Sequence, residues 1–115
     1  MEQDLSITSE LRGDCLVMTA SGYVNNTGGE KISDEFNKYF SEGTKKIVLN
    51  LSESKVVNSI GISFLIEIIE KLNDNDGTLV FTNLDPSIEK TFTIMGLFHF
   101  AKKADSVDDA ITLLK

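Results

Sequence analysis

The sequence has no tryptophan and only one cysteine, one proline and one histidine among its 115 residues. A lone cysteine, Cys15 within CLVMTA, leaves no intrachain disulfide to form; this points to a reducing compartment and casts Cys15 as a small buried strand residue. The lone histidine, His99, sits between two phenylalanines, where it reads as a structural residue rather than a base with a nucleophile beside it. No apolar run approaches the roughly 20 residues needed to cross a bilayer. The opening MEQDLSITSELRGD has neither the positive start nor the apolar stretch of a signal peptide. Basic residues are also scarce, 11 against 18 acidic ones, and a net charge of −7 opposes binding to a phosphate backbone. These absences imply a cytoplasmic protein that neither binds nucleic acid nor inserts into a membrane.

Catalytic and cofactor chemistry is similarly thin. No cluster of His, Cys or carboxylate residues has metal-ligand spacing, and Asp105, Asp108 and Asp109 fall where negative charge suits the start of a helix. Gly28-Gly29 precedes a helical pattern without any phosphate-loop or dinucleotide motif, so a plain loop is expected there. No cofactor and no catalytic residue is assigned.

What is present is an ordinary globular composition, 41% apolar and 25% charged, in a length that suits one domain spanning residues 1–115. LSITSEL and CLVMTA, separated by Arg12, Gly13 and Asp14, read as a hairpin. After a polar loop from Asn25 to Gly29, Ile32, Phe36, Tyr39 and Phe40 share one helix face, with Gly43 as the expected cap. KKIVLNLS is a strand apolar on both faces and so central in a sheet. A helix follows from Ile60 to Leu72, then a strand in TLVFTNL. Asp85-Pro86 starts a third helix with Ile88, Phe92 and Met95 inward and Gly96 as its stop. LFHFA is a short strand candidate, and a last helix runs from about Ser106 with Val107, Ala110, Ile111 and Leu114 as its apolar face. The order β-β-α-β-α-β-α-β-α is that of an α/β domain with helices packed on a mixed sheet.

The most informative stretch is Val56-Val57-Asn58-Ser59-Ile60-Gly61-Ile62-Ser63-Phe64-Leu65, where a strand-like segment becomes the second helix. Asn58 or Ser59 can cap it. Ile62, Leu65, Ile66, Ile69 and Leu72 form the stripe facing the sheet, and Ile60 and Phe64 fall nearly opposite. Two readings stand for that pair: an apolar contact surface beside Ser59, or core covered by a loop or neighbouring helix. A phosphate on Ser59 would be tolerated by the helix N-terminus while sharply changing the adjacent surface.

The element order, the central strand, and Asn58-Ser59-Ile60-Gly61 leading into an apolar helix resemble the STAS family, typified by bacterial anti-sigma-factor antagonists, over nearly the whole chain. In that family a strand ends in Asp-Ser/Thr-x-Gly, and the hydroxyl residue is phosphorylated by a partner kinase that is also the anti-sigma factor. Ser59 matches that position. The resemblance implies a switch: the dephosphorylated antagonist binds the kinase and frees a sigma factor, the phosphorylated form lets go, and a phosphatase resets it. Ser59 would carry the phosphate, and Asn25, Asn58, Ile60, Gly61, Ser63 and Phe64 would meet the partner. Two positions depart from the pattern. Asn58 stands for the aspartate before the phosphorylated residue, and Asn25, in Gly22-Tyr23-Val24-Asn25, for an aspartate after the second strand. Both amides keep hydrogen-bonding ability without the charge. The alternative is a non-phosphorylated STAS subunit with a structural role in a larger assembly such as a lipid-transport ATPase complex.

Overall fold

The computed structural model describes residues 4–115. The Arg12–Cys15 pair closes the hairpin through Gly13, whose φ of 65° is the left-handed conformation that such a turn requires of glycine. Its arms are β1 (Ser6–Arg12) and β2 (Cys15–Ser21), antiparallel to each other. From β2 onward the chain alternates helix and strand, as α1 (Asn26–Phe40), β3 (Lys46–Glu53), α2 (Ser59–Asn73), β4 (Thr78–Thr82), α3 (Pro86–Ile94), β5 (Lys102–Ala104) and α4 (Val107–Leu114). β2 to β5 run parallel, because each return is made through a crossover helix, and the sheet order is β1-β2-β3-β4-β5.

β3 is the central strand. Ile47, Val48, Leu49 and Leu51 are fully buried, each contributing on the order of 1.5–3 kcal/mol. Odd-numbered Ile47, Leu49 and Leu51 join the larger core under α1, α2 and α3, whereas Val48 joins Cys15, Val17 and Val80 beneath Ala110 and Leu114 of α4. Three helices therefore cover one face and one helix the other. Cys15 is buried as expected, and desolvation pushes its thiol pKa up.

Several local expectations need correction. Asn26 to Gly29 are the first turn of α1, not a loop; Gly28 and Gly29 are buried because neighbouring groups approach where a Cβ would stand. Helix α1 ends at Phe40, and Gly43 lies beyond it in the following turn with φ 98°. Leu97–His99 forms one turn of 3-10 helix and not a strand; the strand comes later, at Lys102–Ala104. Left-handed Gly96, φ 78°, redirects the chain so that Leu97 is buried and Phe98 packs edge-on against Phe81, while β5 pairs with β4 through its backbone. Met95, expected to face inward, is exposed, as is His99. On α2, Ile68 is fully packed and Ile66 only partly.

Candidate functional site

The carboxyl ends of β2 and β3 each lead directly into a helix, and the two connections are hydrogen-bonded to each other. The Val24 N–H donates to the Val56 carbonyl at 3.0 Å, and the Asn58 N–H donates to the Val24 carbonyl at 3.1 Å, a parallel bridge that sets the two helix starts side by side. The caps are alike. Asn25 Oδ1 accepts from the Gly28 N–H at 2.8 Å, and Asn58 Oδ1 accepts from the Gly61 N–H at 2.8 Å. Asn58 rather than Ser59 is thus the cap of α2. The glycines that receive these bonds are spatially required: a Cβ on Gly28 would stand 2.3 Å from the Tyr23 carbonyl oxygen, and one on Gly61 2.1 Å from that of Val24.

With Asn58 as cap, Ser59 becomes the first residue of α2 and is exposed, its side chain free of any helix-starting duty. One turn on, the exposed Ser63 hydroxyl donates to the Ser59 carbonyl at 3.1 Å. The pair Ile60 and Phe64 is divided. Ile60 is 50% exposed next to Ser59. Phe64 is half-buried over Gly29 of α1, where a Cβ would lie 2.6 Å from its ring, so it locks α1 to α2. Val56 adds an apolar surface that pattern reading assigned only to a strand; it is 52% exposed on the other side of Asn58. Its one signal in the sequence is its place two residues before the cap; that its segment pairs with the rest of the sheet only through the bridge at Val57 is seen in the structure alone.

The assembled surface is a pair of helix N-termini carrying the exposed Ser59, with the exposed Ile60 next to it in the chain and the exposed Val56 three residues before it. First-turn amides and the helix dipole favour negative charge at Ser59. The nearby start of α3 is acid-capped: Asp85 is held below the usual carboxylate range, first by hydrogen bonds from the Ser87 hydroxyl and backbone N–H and then by the charge of Lys55. Among the described residues no group of His, Cys, Asp and Glu is arranged to hold a metal ion, and no helix is long and apolar enough to cross a membrane.

A Bordetella bronchiseptica protein named as an anti-sigma factor antagonist, BtrV, is 23% identical over 111 residues, 96% of each chain. The fold is shared with an anti-sigma factor antagonist from Mycobacterium paratuberculosis, with a TM-score of 0.83 at 19% identity over 95% of this chain and 92% of that one. It is shared too with the Bacillus cell fate determinant SpoIIAA in its phosphorylated form, with a TM-score of 0.76 at 19% identity over 96% and 100% of the two chains. The sequence model of the STAS domain matches residues 6–110, from the first strand to the middle of the last helix, and the chain belongs to that family.

Proposed function

We propose that this chain is a cytoplasmic anti-sigma factor antagonist, with residues 1–115 working as one unit, that binds a serine kinase acting as anti-sigma factor and is released when Ser59 is phosphorylated and recovered by a phosphatase. It is a regulator and not an enzyme. The observation that carries the reading is the position of Ser59: exposed at the first residue of α2, relieved of capping by Asn58, and adjacent to the exposed Ile60. A phosphate there adds about −1.5 to −2 charges at a helix N-terminus that tolerates them, beside aliphatic surface that a partner must desolvate. The fold persists while the contact is lost.

Asn58 and Asn25 bear on the phosphorylation step. Both amides do the capping work of an aspartate, which supports keeping the serine's geometry, and neither adds negative charge around the hydroxyl. Ile60 and Ser63 form the partner-facing edge of α2 in this reading, with Val56 across the cap; Gly61, expected to meet the partner, is instead buried against the Val24 carbonyl and acts behind them by seating α2, as Phe64 and Asn25 do by fixing α1.

The test uses immobilised wild-type, Ser59→Ala and Ser59→Asp chains and follows retention of a serine kinase from native extract with and without ATP. Ser59→Ala is expected to retain the kinase whether or not ATP is present, Ser59→Asp to release it, and the wild type to let go only with ATP. Equal retention by the two variants would sink the switch and favour a constitutive structural subunit.

A further inference from the structure

The far end of α2 carries a second apolar surface. Between the C-terminal half of α2 and the turn after α3 lies an open groove of about 360 Å³, lined by Ile66, Ile69, Met95 and Phe100 together with Glu70 and Asp74. That volume suits one large side chain and its neighbours. Phe100 is 66% exposed and Met95 48% exposed, so the groove opens onto apolar surface that nothing in the described chain covers.

Its charge is unbalanced in a specific way. Glu70 lies in the last turn of α2 and Asp74 caps its C-terminus, where the helix dipole already concentrates negative potential. None of the ion pairs among the described residues involves either carboxylate. The one lysine in that turn, Lys71, is turned away: its ammonium donates to Asn37 Oδ1 at 2.8 Å and lies over the Phe40 ring. The groove therefore joins an exposed aromatic and thioether surface to two uncompensated carboxylates.

We infer that this groove is a docking site for a partner protein segment bearing one large apolar side chain flanked by Lys or Arg. An apolar anchor would cover Met95 and Phe100, and the cations would relieve the like-charge arrangement at the helix end. A second copy of this chain fits poorly, since each copy brings a net charge of −7, and anionic lipid headgroups are repelled by the same carboxylates. The surface is distinct from the Ser59 face. Ile60 and Glu70 are ten residues apart on one helix, about 15 Å along its axis, which exceeds the screening length of about 8 Å at physiological salt.

The test selects a displayed library of 12-residue peptides on the immobilised full chain, with Phe100→Ser as counter-selection, and measures the best synthetic peptide by fluorescence anisotropy. The expected consensus is a single Leu, Phe, Trp or Met between Lys or Arg residues. Affinity is expected to fall about tenfold or more for Phe100→Ser and for Glu70→Lys, and to stay unchanged for Ser59→Asp, so that failure here and failure of the Ser59 switch are told apart. Because Phe100 and Glu70 are exposed, both variants are expected to melt as the wild type does. The inference is overturned by an acidic consensus, by no enrichment over Phe100→Ser, or by a peptide whose affinity follows Ser59. It is equally overturned by a dimer in sedimentation equilibrium that Phe100→Ser dissolves, or by binding to phosphatidylglycerol vesicles that Phe100→Ser abolishes.

Discussion

Replacing Gly61 by alanine sets two opposing effects against each other. Alanine in place of glycine within a helix is worth roughly 1 kcal/mol in intrinsic propensity, and by that measure alone Gly61→Ala would stabilise the chain. The added Cβ, however, would lie 2.1 Å from the Val24 oxygen, 2.8 Å from the Val24 carbonyl carbon and 3.0 Å from its Cγ1. Two of these three obstacles are backbone, so no rotamer change removes them, and regaining ordinary contact requires a displacement of about 1.3 Å. That displacement works directly against the Val24–Val57 bridge, whose two hydrogen bonds contribute about 1 kcal/mol each. Overpacking of this kind costs about 1–3 kcal/mol in addition. The steric side wins, with a net loss of about 2–4 kcal/mol; at about 4 °C per kcal/mol for a chain of this size, the melting temperature is expected to fall by about 8–16 °C. Circular dichroism melting reads this directly. Gly29→Ala is the comparison, because its obstacle is the Phe64 side chain, which can yield, and its loss is expected to be smaller. If Gly61→Ala melts at or above the wild-type temperature, the close seating of α2 on the Val24 carbonyl is wrong, and with it the side-by-side geometry of the two caps.

Three further outcomes follow from the same structure. Asn58→Ala removes the acceptor for the Gly61 N–H and is expected to cost about 1 kcal/mol, whereas Asn58→Asp keeps the cap and leaves stability at neutral pH at or slightly above wild type, checked by urea unfolding. Glu35 is held below the ordinary carboxylate range, first by the hydrogen bond from the Ser9 hydroxyl and then by Lys38, against the opposing effect of burial. Its contribution is therefore present above the unfolded carboxylate pKa and lost as pH falls through the lower folded value; Glu35→Gln is expected to flatten that part of the acid limb in melts followed from pH 6 down to about pH 3. Thr82 Oγ1 is buried with no hydrogen-bond partner among the described residues, so Thr82→Val is expected to be neutral or stabilising by up to about 1 kcal/mol; a loss beyond that would reveal a partner for the hydroxyl.

Where the chain signals its structure by pattern alone, the reading was direct. The apolar run Ile47-Val48-Leu49, resumed at Leu51 after Asn50, marks a strand buried on both faces, and Asp85-Pro86 marks a helix start, because both signals are local. LFHFA misled for the opposite reason: its apolar content serves packing of Leu97 and Phe98 around the core, while the strand is built from Lys102-Lys103-Ala104, whose side chains say little and whose backbone does the pairing. The Asn25–Gly29 segment was hidden likewise. Glycines usually discourage a helix, but here the Tyr23 carbonyl and the Phe64 ring occupy the space their side chains would need, and the Gly29–Phe64 contact spans 35 residues, beyond any local window of sequence. For the site, Ser59 and Asn58 were legible from a motif at a strand-to-helix junction. The division of Ile60 from Phe64 was not, because it depends on how closely α1 approaches.

The most direct test of the central claim is intact-mass spectrometry of the protein from its native cell, with peptide mapping of any added phosphate. The account predicts a fraction carrying one phosphate, on Ser59, that changes with growth or stress conditions; a chain unmodified under all of them, or phosphorylated at Ser63 instead, would contradict it.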